Sequence, residues 1–83
     1  MLRNYPNPFN AQTTISVDLP RDDRIQLSVY DVFGRRVTTL IDGALPAGDY
    51  RFAFDAGTLA SGTYFYRLLS GSGDIVRSMT LVK

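Results

Sequence analysis

Thr14-Ile15-Ser16-Val17-Asp18-Leu19-Pro20-Arg21-Asp22-Asp23-Arg24-Ile25-Gln26-Leu27-Ser28-Val29-Tyr30 decides the fold. Ile15, Val17 and Leu19 alternate with Thr14, Ser16 and Asp18, and Ile25, Leu27 and Val29 alternate with Gln26, Ser28 and Tyr30. A period of two sends successive side chains to opposite faces, so both runs read as half-buried strands. Pro20 removes a ladder donor and ends the first run, and Arg21-Asp22-Asp23 supplies the turn.

The same pattern continues outward. Arg36 to Ile41 is β-branched at Val37, Thr38, Thr39 and Ile41, and Tyr50, Phe52 and Phe54 alternate with Arg51, Ala53 and Asp55. Tyr64, Tyr66 and Leu68 face one way and Phe65 and Leu69 the other, which predicts a central strand covered on both faces. Ile75 to Val82 forms the last run, and Arg3 to Tyr5 a short edge strand. Turn signals fall between the runs at Asp31 to Gly34, Asp42-Gly43, Pro46-Ala47-Gly48, Asp55 to Gly62 and Gly71-Ser72-Gly73. The expectation is an all-β sandwich of six or seven short, mainly antiparallel strands. Ile15, Val17, Leu27, Val29, Phe52, Phe54, Tyr64, Tyr66 and Leu68 form its core, and the long Asp55 to Gly62 connection crosses between sheets.

With 83 residues the chain makes one domain and one core. Folding hides only roughly 63% of the surface of so short a chain, so its stability is marginal. There is no Cys and no His, which removes disulfides, thiolate metal sites and every Ser-His or Cys-His dyad. Every acid is Asp and every base is Arg except Lys83, so the usual Glu and Lys of an exposed helix face are missing. A net charge of +1 is too even for a nucleic-acid binder. No apolar run approaches the ~18 residues of a membrane span. No signal core follows Met1, so any export signal is expected elsewhere on a longer parent chain. Neither a cofactor nor catalysis is expected.

Four constellations stand out. Pro6 and Pro8 make Asn4-Tyr5-Pro6-Asn7-Pro8-Phe9-Asn10 extended and rigid, a pinned turn with Tyr5 and Phe9 closing one end of the core, or a recognition epitope. Asp31-Val32-Phe33-Gly34-Arg35 reads as a tight hairpin in which Gly34 supplies positive φ and Asp31 bonds backbone amides and Arg35 or Arg36. Its functional alternative is a charged docking knob. Ser61-Gly62-Thr63-Tyr64 is a turn entering a strand. Asp18, Asp22 and Asp23 could gather around a hard cation, though without any looped ligand spacing.

Six segments in order resemble one family. They are Tyr5-Pro6-Asn7-Pro8-Phe9-Asn10, Ile15-Ser16-Val17-Asp18-Leu19-Pro20, Val29 to Val37, Leu45-Pro46-Ala47-Gly48, Leu59 to Tyr66 and Leu81-Val82-Lys83. The family is the type A C-terminal sorting domain of type IX secretion cargo, from Gram-negative bacteria of the Bacteroidetes lineage. The resemblance implies an immunoglobulin-like β-sandwich that follows a cargo domain on the same chain. It further implies an address label that directs periplasmic cargo to an outer-membrane translocon with its shuttle components. A surface sortase then removes the label, leaving the cargo on the cell surface or outside the cell. Carried over by residue, the motif elements are Pro6-Asn7-Pro8, then Asp31 and Gly34 with Arg35, then Ser61, Gly62 and Tyr64, and the basic last strand Arg77 to Lys83. That strand has a single Lys where relatives often show a second, and Arg77 is the candidate replacement. A flagellar hook-capping immunoglobulin-like domain shares much of the pattern, and a carbohydrate-binding module would need Phe65 and Tyr30 to face solvent.

The expected recognition residues are Arg77, Met79, Leu81, Val82 and Lys83 on the last strand, with Asp31, Gly34 and Arg35 on the hairpin. A terminal strand on a sheet edge exposes unpaired backbone groups that a translocon or sortase can read by strand addition. Arg77, Met79, Leu81 and Lys83 share one face, and Met79 and Leu81 either meet the partner or complete the core. Removal of Val82-Lys83 is expected to leave stability nearly intact, because chain ends fray. The sequence leaves a weak homodimer open.

Overall fold

The computed structural model describes residues 2–83. Its seven strands are β1 (Leu2–Tyr5), β2 (Gln12–Leu19), β3 (Asp23–Tyr30), β4 (Arg36–Leu45), β5 (Gly48–Asp55), β6 (Gly62–Ser70) and β7 (Gly73–Leu81). They form two antiparallel sheets with strand orders β1-β2-β5 and β4-β3-β6-β7. The chain changes sheet after β2, after β4 and after β5, so the long connection from Asp55 to Gly62 does cross. The result is the small all-β sandwich that the alternation predicts.

The register explains the core. In the first sheet Ile15 lies between Asn4 and Phe52, and Val17 between Leu2 and Tyr50. In the second, Leu27 lies between Ile41 and Leu68, and Val29 between Thr38 and Tyr66. Ile15, Leu27 and Val29 have no exposed surface. Burying an aliphatic side chain of this size contributes about 1.5–3 kcal/mol, so this inner layer holds the two sheets together. Leu2, Phe9, Leu19, Ile25, Ala56, Met79 and Leu81 join it.

Three expectations need correction. Asp42-Gly43 is no turn: both residues continue β4, where Asp42 faces Gln26 across the ladder. Gln26 Nε2 donates to Asp42 Oδ2 at 3.5 Å, and the Arg24 guanidinium lies 3.9 Å from Asp42 Oδ1. Cross-strand partners override local turn preference here. Phe52 is half-buried, because β5 is an edge strand and β4 in the facing sheet is an edge too. The outer face of β6, with Phe65, Arg67 and Leu69, is likewise half-buried, since no third layer covers it.

Candidate functional site at the C-terminal end of the sandwich

Strand directions sort the connections into two ends. β1, β5 and β3 run toward the end where β2, β4 and β6 begin and where β7 finishes. Residues 6–11, 31–35, 56–61 and 82–83 therefore meet at one end of a body 37 Å long. Leu2, the Pro20–Asp22 connection and the β6–β7 turn lie at the other. Segments far apart in sequence, Pro6-Asn7-Pro8, Asp31 to Arg35, Ser61-Gly62 and Lys83, are thus gathered at one end.

The proline segment docks on β7. The Phe9 amide donates to Thr80 O at 2.9 Å, and the Val82 amide donates to Phe9 O at 2.8 Å, making a parallel bridge with Leu81. Asn7 extends the pairing with its side chain: Thr80 N donates to Asn7 Oδ1 at 3.1 Å, and Asn7 Nδ2 donates to Ser78 O at 3.5 Å. Phe9 inserts into the core, 2% exposed, with its ring edge-on to Phe54 at 6.2 Å. Tyr5 does not join it. It is 81% exposed, because β1 alternates and points Leu2 and Asn4 inward instead.

Behind this cap sits a polar node that sequence reasoning missed. Tyr66 Oη donates to Asn4 Oδ1 at 2.9 Å, and Asn4 Nδ2 donates to Thr13 Oγ1 at 3.2 Å. Thr13, itself buried, donates to Pro6 O at 2.8 Å. Burial pushes the Tyr66 phenol above its ordinary value against the pull of the Arg77 cation. An Asn and a Thr at inward strand positions were the available signal, since buried polar groups need partners.

The β3–β4 hairpin matches its expected form. Asp31 Oδ1 accepts the amides of Phe33 and Arg35 at 2.9 and 3.0 Å, and Oδ2 accepts Arg35 Nε at 2.9 Å. Gly34 adopts φ 79°, where a side chain would be strained. Loss of solvation raises the Asp31 carboxyl, but the bonds from Arg35 and Phe33 outweigh it and hold the pKa below its ordinary value. The turn rigidly presents Val32, 59% exposed, and Phe33, 77% exposed, with the Arg35 guanidinium 5.0 Å above the Phe33 ring. The knob is more apolar than charged.

Two tyrosines pin the sheet-to-sheet crossings. Tyr64 Oη donates to Ala60 O at 2.7 Å, and Tyr50 Oη donates to Pro46 O at 2.6 Å. Ser61 lies just before β6 and Gly62 begins it, so the Ser61-Gly62-Thr63-Tyr64 element is the turn into a strand, as expected. Lys83 reaches this loop, its Nζ donating to Gly57 O at 3.1 Å.

On the last strand the second of the two alternatives holds for Met79 and Leu81, and the expected free edge and frayed end are not found. Met79 and Leu81 are each 1% exposed and complete the core, so their side chains offer nothing to a partner. Arg77 shares their inward face but sits at the rim, with Nε donating to Leu2 O at 3.3 Å. The backbone edge from Ser78 to Val82 is not free either, because Asn7 and Phe9 hold it. Val82 and Lys83 are exposed yet tied by the bonds described, so the end is docked rather than frayed.

The remaining candidates separate. Tyr30 and Phe65 are half-buried beside the Arg67–Asp74 ion pair of 2.6 Å, lining a shallow groove with Val32 and Val76 rather than a flat aromatic platform. The Arg67 guanidinium holds the Asp74 carboxyl below its ordinary value. Asp22 accepts the Ala47 amide at 2.8 Å and Asp23 the Gly71 amide at 3.1 Å, while Asp18 stands in β2 opposite Asp49. Asp22 and Asp23 serve turns, and among the described residues no group of three or more acids, His or Cys could hold a metal.

Over residues 3–82 the chain matches the family model described as the secretion system C-terminal sorting domain. The chain belongs to that family, the sorting domains of type IX secretion. Among solved structures, the sorting domain resembles part of PorZ, an essential bacterial surface component of the type-IX secretion system of human oral-microbiomic Porphyromonas gingivalis. The TM-score is 0.73 at 16% identity, so the likeness speaks for the fold alone. It covers 99% of the sorting domain and 11% of the PorZ chain. No curated protein sequence matches the sorting domain.

Proposed function

We propose that residues 1–83 are the C-terminal address of a longer exported protein, recognised in the periplasm by the type IX translocon and its shuttle components. A surface sortase then removes the domain, leaving the cargo on the cell surface or outside a Gram-negative cell. The domain itself is non-catalytic. One observation carries this reading: Pro6-Asn7-Pro8, Asp31 to Arg35, Ser61-Gly62 and Val82-Lys83 gather at one end, opposite the end where Leu2 begins β1, while Pro20 and Leu45-Pro46-Ala47-Gly48 lie at the Leu2 end. A cargo domain joined before Leu2 leaves that end free for the machinery. Asp31, Gly34 and Arg35 shape an exposed knob there, and of the expected last-strand residues Arg77, Val82 and Lys83 are the exposed ones. Met79 and Leu81 act by keeping that strand in register, and Tyr5, Pro6, Asn7, Pro8, Phe9, Ser61, Gly62 and Tyr64 by fixing its surroundings. The test is a fusion of residues 1–83 to a periplasmic fluorescent protein in a type IX-competent cell. Fluorescence at the surface or in the medium supports the reading, and a fusion held in the periplasm overturns it.

A further inference from the structure

β7 is an edge strand whose two halves differ. Period two puts the amides and carbonyls of Asp74, Val76, Ser78 and Thr80 on the side away from β6, in the row to which Asn7 and Phe9 bond. The cap reaches Thr80 N and Ser78 O and stops there. The upper half, Asp74 to Arg77 with the Ser78 amide, pairs with β6 on one side only.

Natural edges of this kind are blunted by charge, proline or a covering loop. This one is not. Ile75 is 38% exposed and Val76 53% exposed, side by side on the open half. β1 exposes Tyr5 at its end, and the β4 and β5 edges expose no large apolar residue. Val76 also continues onto the outer face, where it lines the groove with Phe65, Tyr30 and Val32. Arg77, facing the other way, has the Leu2 carbonyl beside it and no carboxylate partner among the described residues.

We infer that the open half of β7, Asp74–Ser78, binds an extended peptide segment of another protein by strand addition, with aliphatic side chains toward Val76 and a carboxylate toward Arg77. Unpaired backbone groups call for another backbone, and the alternating faces set which side chains it carries. A second copy of this chain does not fit. Antiparallel pairing of two β7 strands about Val76 would put Gly73 of the other copy opposite Met79. Its β6–β7 turn would then run into the line already held by Asn7 and Phe9. A five-residue edge also falls far short of the roughly 800 Å² per partner that a stable protein interface buries. A peptide whose ends leave the sheet avoids that collision, and so short an edge suits a weak peptide ligand rather than a stable dimer.

The inference rests on the sorting reading only for which protein carries the peptide. It is tested on the 83-residue domain by amide NMR, with a blocked peptide that alternates valine and threonine and includes one aspartate. The expected result at millimolar peptide is shifted resonances and slowed exchange at the Val76 and Ser78 amides, with Thr80 and Val82 unchanged. Val76→Lys should abolish the response without lowering the melting temperature, and Arg77→Ala should weaken it several-fold. No response, or a response centred on Thr80 and Val82, would overturn the inference. So would a concentration-dependent dimer that Val76→Lys returns to monomer, since a second copy would then be the occupant. A domain that is exported in the fusion assay yet ignores the peptide overturns this inference and leaves the sorting reading standing.

Discussion

Asn7 takes the place of a strand beside Thr80: its Oδ1 accepts the Thr80 amide at 3.1 Å while its Nδ2 reaches the Ser78 carbonyl at 3.5 Å. One side chain therefore joins the first motif of the sequence to its last strand. Asn7→Ala removes both bonds, and at about 0.5–1.5 kcal/mol for a typical bond the cost should be about 1–3 kcal/mol. Hydrogen exchange checks the location. The Thr80 amide should exchange faster, while the Val76 amide, outside the cap, should not change.

The core prediction separates two phenylalanines of one strand. Phe54 is 3% exposed and meets Phe9, whereas Phe52 is half-buried on an edge. Phe54→Ala should cost about 3–5 kcal/mol, enough to unfold a small domain, and Phe52→Ala distinctly less. Denaturant titration of both variants measures the order, and equal losses would contradict the asymmetry.

That asymmetry shows what the sequence can and cannot display. Alternation at Ile15-Val17-Leu19 and Ile25-Leu27-Val29 reveals strands and their inward faces, because both follow from a local period. It cannot reveal that Phe52 belongs to an open side, since that depends on which strands lie at the sheet edges. Asp42-Gly43 failed as a turn for the same reason: the partners Gln26 and Arg24 lie 16 and 18 residues away. The hairpin at Asp31 was legible because its bonds are all local. The cap on β7 was not, because Asn7 and Thr80 are 73 residues apart in the chain.

Titration should destabilise the domain at both extremes. Asp31 and Asp74 have carboxyl pKa values below the ordinary 3.8, so the folded state binds fewer protons than the unfolded chain just below that pH. Their contribution is complete above the unfolded value and is lost as pH falls through the folded ones. Asp74→Asn should flatten the melting-temperature profile below about pH 4. Tyr66 works in the opposite sense, its folded pKa lying above 10.0. Its contribution is complete below the unfolded value and fades as pH rises toward the folded one, because burial disfavours the phenolate, which also cannot donate to Asn4. Tyr66→Phe should lower stability at neutral pH and remove that alkaline slope, measured by melting at stepped pH.

The chain end supplies the prediction that separates folding from sorting. The Val82 amide donates to Phe9 O at 2.8 Å, and Lys83 Nζ donates to Gly57 O at 3.1 Å. Both residues are exposed, and the anchors Met79 and Leu81 lie before them, so the sandwich closes without the final pair. Removing Val82-Lys83 should cost about 1 kcal/mol for the Val82 bond, with Lys83→Ala costing less, because an exposed amine is resolvated when its partner is lost. Under the sorting reading the same deletion should hold fused cargo in the periplasm, a loss far larger than so small a change in stability explains. A control fixes the interpretation. Asn7→Ala, at equal or greater cost in stability, keeps both terminal residues and should keep export. If the deletion is exported as well as the parent, the terminal pair is not what the machinery reads. The Val32-Phe33 knob at the same end is then the surface to alter next, by Phe33→Ala.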